Sequence, residues 1–151
     1  RRHTRYISVT GVQTCALPIF CEYISTIESQ RTYTSSVVFH PTLPIIAIDG
    51  VENTVKLFRL SERAECIATL KEHKRKVISI AFHQVLPIMA SGSEDNTIKI
   101  WRLNEEGLIL RCMSTLHLVK NIFNQPHTNH FHPILPILVT TTTDRSVKIW
   151  K

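Results

Sequence analysis

Short apolar runs rich in β-branched residues punctuate this chain, and turn-forming residues separate them. Between residues 65 and 103 they read "CIATL", "SIAF", "PIMAS" and "TIKIW", with His-Gln-Val-Leu-Pro and Gly-Ser-Glu-Asp-Asn lying between. Runs of that length bounded by such residues predict strands. The last run shows how its sheet must be housed. Ile98 and Ile100 fall on one face, whereas Trp101 and the aliphatic stem of Lys99 fall on the other. A sheet that is apolar on both sides has to be sandwiched. No helical periodicity of leucines competes with this reading.

The same four runs recur. Residues 22–60 lie over residues 65–103 at a constant offset of 43 without a gap, and residues 111–151 supply a third copy with three extra residues in each of two loops. The predicted organisation is repeats at about 22–64, 65–110 and 111–151. Each reads as an outer strand d followed by strands a, b and c. Four-stranded antiparallel sheets repeating at this interval, each packed between like neighbours, describe the blades of a β-propeller. Leu-Pro-Ile marks every copy, at 43–45, 86–88 and 135–137, where proline removes a donor at the start of a strand.

The stretch "EHKRKVISIAFHQVLPIMASGSEDNTIKIWRL" resembles a WD repeat, through its strand, Gly-Ser-x-Asp-x-Thr turn and Ile-Lys-Ile-Trp. The resemblance extends over residues 20–151 and implies an all-β fold. It implies an incomplete propeller of about two and three-quarter blades, with a leading outer strand at 22–27. It also implies a structural hydrogen-bond network of His73 between strands d and a, Ser91 in strand b with Ser93 as its rival, Asp95 in the b–c turn and Trp101 in strand c. In the third copy Thr140, Asp144 and Trp150 match, but Val119 or Ile122 stands where the histidine is expected, leaving His117 or His127 as substitutes if the longer loop folds back. In the first copy the positions hold Gln30, Ile48, Glu52 and Phe58, so the network is expected to be absent.

These residue types resemble a Ser-His-Asp set, yet types without nucleophile–base geometry do not make a triad, and the expectation is a chain that is not an enzyme. Lys74, Arg75 and Lys76 form a candidate partner-binding loop for an acidic peptide or a phosphate. Over the loops of that rim, however, seven basic residues face seven acidic ones. His127, His130 and His132 have a metal-compatible look, but His132 repeats His40 and His83 after strand a, and no cysteine or carboxylate completes a zinc-like spacing. No phosphate loop or dinucleotide fingerprint occurs, so neither metal nor cofactor is expected.

The first nineteen residues change the charge argument. "VTGVQTCALPI" (9–19) back-translates to a common short-read sequencing adapter, "RRHTR" fits the bases upstream, and Leu17 is out of step with the other Leu-Pro-Ile copies. Residues 1–19 are therefore read as a non-native, disordered segment outside the fold. The whole chain carries 18 Lys and Arg against 12 Asp and Glu; without Arg1, Arg2 and Arg5 the excess falls to three. Such a balance is no footprint for nucleic acid. Cys21, Cys66 and Cys112 form no CxxC pair, and their odd count argues for a reducing, cytoplasmic or nuclear setting. No apolar run is long enough to span a membrane.

The implied function is a non-enzymatic scaffold that holds proteins or peptides, within a larger protein supplying the remaining blades. The alternative is a regulatory propeller attached to a catalytic domain that this fragment lacks. A hybrid of adapter and partial transcript with no role of its own is the third reading.

Overall fold

The computed structural model describes residues 26–27, 34–50, 52–61, 64–106, 109–118 and 125–151. The adapter reading of residues 1–19 lies outside them, as does Gln30. Of the leading strand expected at 22–27, only Thr26 and Ile27 are described, and neither is in a strand.

The described residues form eleven strands in three antiparallel sheets. The first contains β1 (Val37–Phe39), β2 (Ile45–Gly50), β3 (Thr54–Arg59) and β4 (Glu65–Leu70), in that order. The second contains β5 (Val77–Phe82), β6 (Ile88–Ser93), β7 (Thr97–Leu103) and β8 (Ile109–His117). The third contains β9 (Pro126–Phe131), β10 (Leu138–Thr142) and β11 (Val147–Trp150). Two sheets of four strands and one of three are what the repeat predicts. Each outer strand completes the sheet before it, so β4 belongs to the second repeat in sequence and the first sheet in space.

Two apolar seams hold the stack. In one, Ala47, Val55 and Leu57 of the first sheet meet Ile80, Met89 and Trp101 of the second. In the other, Ala90, Ile98 and Ile100 meet Leu138, Phe131 and Trp150. Ile98 and Trp101 thus leave β7 on opposite sides, and both are buried. The stem of Lys99 is covered while its ammonium reaches Glu72 at 3.4 Å and Thr115 at 3.2 Å.

The inner strands are fastened to each other by a repeated polar contact. Ser36 Oγ accepts the Ile80 N–H across the first seam at 3.1 Å, and Ser79 Oγ accepts the Asn129 N–H across the second at 2.9 Å. Ser79 follows Ser36 by the offset of 43 between the first two copies, and Asn129 follows Ile80 by the offset of 49 between the second and third. Irregularities recur at matching places too. Register shifts skip Ile78 in β5 and His127 in β9, and others fall at Leu57/Phe58 and Ile100/Trp101, where the outer strand joins. Each of the three b–c turns has a residue at positive φ in one equivalent place, Asn53, Asn96 and Arg145.

Gly92 sits where β9 comes close to β6 across the second seam. A Cβ there would lie 2.5 Å from Asn129 Nδ2 and 3.1 Å from the Pro126 ring. Gly92→Ala is expected to cost about 1–3 kcal/mol by overpacking, read as a lowered midpoint in urea unfolding.

Candidate functional site

The second repeat brings its four singled-out residues into one chain of hydrogen bonds. Trp101 Nε1–H, on β7, donates to Ser91 Oγ at 2.8 Å, on β6. Ser91 Oγ lies 2.8 Å from His73 Nε2, and His73 Nδ1 lies 3.1 Å from Asp95 Oδ2. With the indole proton already on Ser91 Oγ, the serine hydrogen points to Nε2, and the imidazole keeps its proton on Nδ1 facing the carboxylate. Asp95 also accepts the Lys74 N–H at 2.8 Å, the Thr97 N–H at 3.0 Å and the Thr97 hydroxyl at 2.5 Å. The carboxylate therefore ties the loop before β5 to the β6–β7 turn. Ser93, the rival, serves the turn differently: its Oγ donates to the Arg75 carbonyl at 2.9 Å and accepts the Asp95 N–H at 3.2 Å.

This is the polarity of a Ser-His-Asp triad without its access. Ser91 is 0% exposed and lies under the indole that donates to it. A nucleophile must touch a substrate carbonyl, which nothing can bring here. Burial pushes the His73 imidazole below its ordinary value, although Asp95 pulls the other way through its hydrogen bond and charge. Burial would raise Asp95, but the bonds from Thr97, the Lys74 N–H and His73 outweigh it and hold the carboxyl below the usual range.

The third repeat does not assemble the same chain. Thr140 Oγ1 donates instead to Asn129 Oδ1 at 2.9 Å. Trp150 Nε1 is buried without a partner, beside a cavity of about 220 Å³ lined by Ile100, Leu116, Phe131 and Leu138. Asp144 is exposed and caps its turn, accepting from the Thr142 hydroxyl and, at 2.9 Å, from the Ser146 N–H; these bonds lower its pKa to about 2. The reason is the absence of an imidazole to link strand and turn. His117 and His127 are both exposed and bond to none of the three, and residues 119–124 lie outside the described residues.

The first repeat replaces the network with a device that sequence reasoning missed. Ile48 and Glu52 make no polar chain, but Asp49, buried on β2, accepts the Ser35 N–H at 2.9 and 2.8 Å and the Ser36 N–H at 3.0 Å. Thr141 holds the matching position in the third sheet and accepts the Thr128 N–H at 3.2 Å. The available signal was a carboxylate at an inward position of an otherwise apolar strand.

The recurring histidine also has a role. His40 Nδ1 accepts the Thr42 and Leu43 N–H groups, His83 Nδ1 those of Val85 and Leu86, and His132 Nδ1 those of Ile134 and Leu135, all between 3.0 and 3.3 Å. Each imidazole shapes the turn that leads into Leu-Pro-Ile, and His83 Nε2 additionally reaches the Leu135 carbonyl at 3.0 Å. Among the described residues no group of three or more His, Cys, Asp or Glu side chains is placed to hold a metal ion.

Lys74 and Arg75 are exposed and Lys76 partly so, while their backbone is pinned. Asn53 Nδ2 donates to the Lys74 carbonyl at 3.1 Å, Ser93 to that of Arg75, and the Glu94 N–H to that of Lys76.

Two outcomes follow. Ser91→Ala strands the Trp101 indole donor and the His73 acceptor, and is expected to cost about 2–6 kcal/mol in chemical unfolding, since each buried orphan costs about 1–3. The pKa values of His40 and His73 are both lowered by burial, so these groups favour the fold fully above their unfolded value of 6.5. Unfolding midpoints measured from pH 8 downward should therefore fall below about pH 6.5. They should fall again below 3.8, where Asp95 loses its advantage over the unfolded chain.

Comparison with protein families adds one match. The family described as "WD domain, G-beta repeat" covers residues 64–102, which holds β4 to β7 short of Leu103 and the whole His73 to Trp101 chain. No curated protein matches the sequence.

Proposed function

Since residues 64–102 are a WD40 repeat, we propose that this chain is a non-enzymatic scaffold, part of an intracellular protein that grips protein or peptide partners on the rim formed by its loops and turns. WD40 repeats are commonly interaction platforms and typically non-catalytic, and no helix among the described residues is long and apolar enough to cross a membrane. The observation that carries the reading is the rigidity of an exposed loop. The amide and carbonyls of residues 74–76 are fixed by Asp95, Asn53, Ser93 and Glu94, whereas the Lys74 and Arg75 side chains remain in solvent. A preorganised loop binds without spending conformational entropy on ordering itself.

The hydrogen-bond chain of His73, Ser91, Asp95 and Trp101 is, on this reading, the mount for that loop. Thr140, Asp144 and Trp150 hold the matching places of the third sheet, but there Asp144 serves its turn alone. The Lys74-Arg75-Lys76 loop suits an acidic peptide. The residues at about 22–64, 65–110 and 111–151 act as successive supports for one rim.

A fluorescently labelled oligoglutamate peptide is the first probe. It is expected to bind with an affinity that falls as salt rises, and Lys74→Glu, Arg75→Glu, Lys76→Glu together should abolish binding while leaving the unfolding midpoint nearly unchanged. Binding that survives the triple reversal would remove this loop from the site. Ser91→Ala should weaken capture indirectly, by freeing the loop.

A further inference from the structure

The inner strand β5 separates two rims. Lys76 stands just before it and His83 just after it, so the turns that follow the first strand of each sheet open on the side away from the Lys74 loop. Those turns are apolar at their tips. Val85 is 70% exposed and Leu86 37%, and the matching Ile134 and Leu135 are 70% and 48% exposed. Val85 stands on the middle sheet, which has a neighbour on each side, and neither neighbour covers it. Exposed apolar side chains grouped in this way, with polar residues beside them, are the mark of an interaction surface.

The turns are held in place before anything docks on them. His40 Nδ1 accepts the Thr42 and Leu43 N–H groups, and His83 Nδ1 accepts those of Val85 and Leu86. His83 Nε2 meets the Leu135 carbonyl at 3.0 Å, which brings the third turn beside the second. Between the first and second turns lies a groove of about 150 Å³, with Pro41, Leu43, Val85, Leu86, Pro87 and Glu105 among the residues lining it. Small-molecule sites take about 300–1,000 Å³, so this one suits a single aliphatic side chain.

Its charge has one sign. Glu105 is the carboxylate on the groove, and among the described residues no lysine or arginine lines it; Arg59 and Arg102, near the ends of β3 and β7, stay outside. Glu105 and the adjacent Glu106 are exposed, and neither is in an ion pair among the described residues. An apolar slot edged by negative charge complements an aliphatic side chain that has a positive neighbour.

We propose that the groove between the first two turns seats an aliphatic side chain of a peptide partner, with Glu105 meeting a lysine or arginine beside it. Ile134 supplies a second apolar contact farther along the same rim. This surface is separate from the Lys74 loop and does not depend on what that loop binds.

The probe is a fluorescein-labelled peptide of alternating leucine and lysine, titrated against the full 151-residue chain by fluorescence anisotropy. It should bind, and an alternating leucine–glutamate peptide should not. Val85→Ser and Glu105→Lys, each at an exposed position, should each weaken binding about tenfold. Circular dichroism checks that both remain folded, and Val85→Thr or Glu105→Gln takes the place of either that does not. A wild type that leaves the leucine–lysine peptide free, equal binding of the two peptides, or a folded variant at either position that binds as tightly as the wild type would each overturn the proposal.

Discussion

Every sheet in this protein is apolar on both sides, and that condition governs the rest. Trp101 and Met89 need Val55 and Leu57, while Ile98 on the reverse of the same strand needs Leu138 and Trp150. Burial of such side chains is worth about 1.5–3 kcal/mol each relative to exposure, and there are many more of them than there are charge-assisted hydrogen bonds in the loops. The sheets are therefore held by their neighbours, and polar contacts decide how the neighbours are registered. Ser36 and Ser79 make that decision at the inner strands, where one hydroxyl per seam fixes the height of one sheet against the next.

The three repeats solve one problem with different chemistry. Each must hold the segment entering its inner strand against the turn between its second and third strands. The second does so through Asp95, which gathers the Lys74 and Thr97 amides and the His73 imidazole. The first and third use the strand position occupied by Asp49 and Thr141, which binds the incoming amides directly. Gly92 stands at that position in the second repeat, and its lack of a side chain is what lets Asn129 and Pro126 approach.

Most of the architecture was legible because it is written in a period. A repeat of alternating apolar residues fixes strand type, strand order and which face is covered, and it placed Ile98 and Trp101 on opposite sides. The site was legible only where chemistry repeats with it. His73, Ser91, Asp95 and Trp101 meet, whereas Thr140, Asp144 and Trp150 carry matching types and do not, because a hydrogen-bond chain fails when one link is missing. Asp49 escaped notice for the converse reason. It has no counterpart of its own type at 92 or 141, so no alignment within the chain singles it out. The turn histidines were seen as a recurrence, but the task of Nδ1 depends on amides two and three residues ahead, which only the folded turn brings round.

The register shifts at Leu57/Phe58 and Ile100/Trp101 fall at one equivalent point, where the third strand of each four-stranded sheet meets the outer one. An extra residue there sharpens the right-handed twist and bends the outermost strand. β4 and β8 thus display a crooked row of backbone donors and acceptors, a poor template for a foreign strand to zip onto. The outer edges of the first two sheets are in this way turned from strand addition by their shape, beside the charges of Glu65 and Arg111 that stand on them.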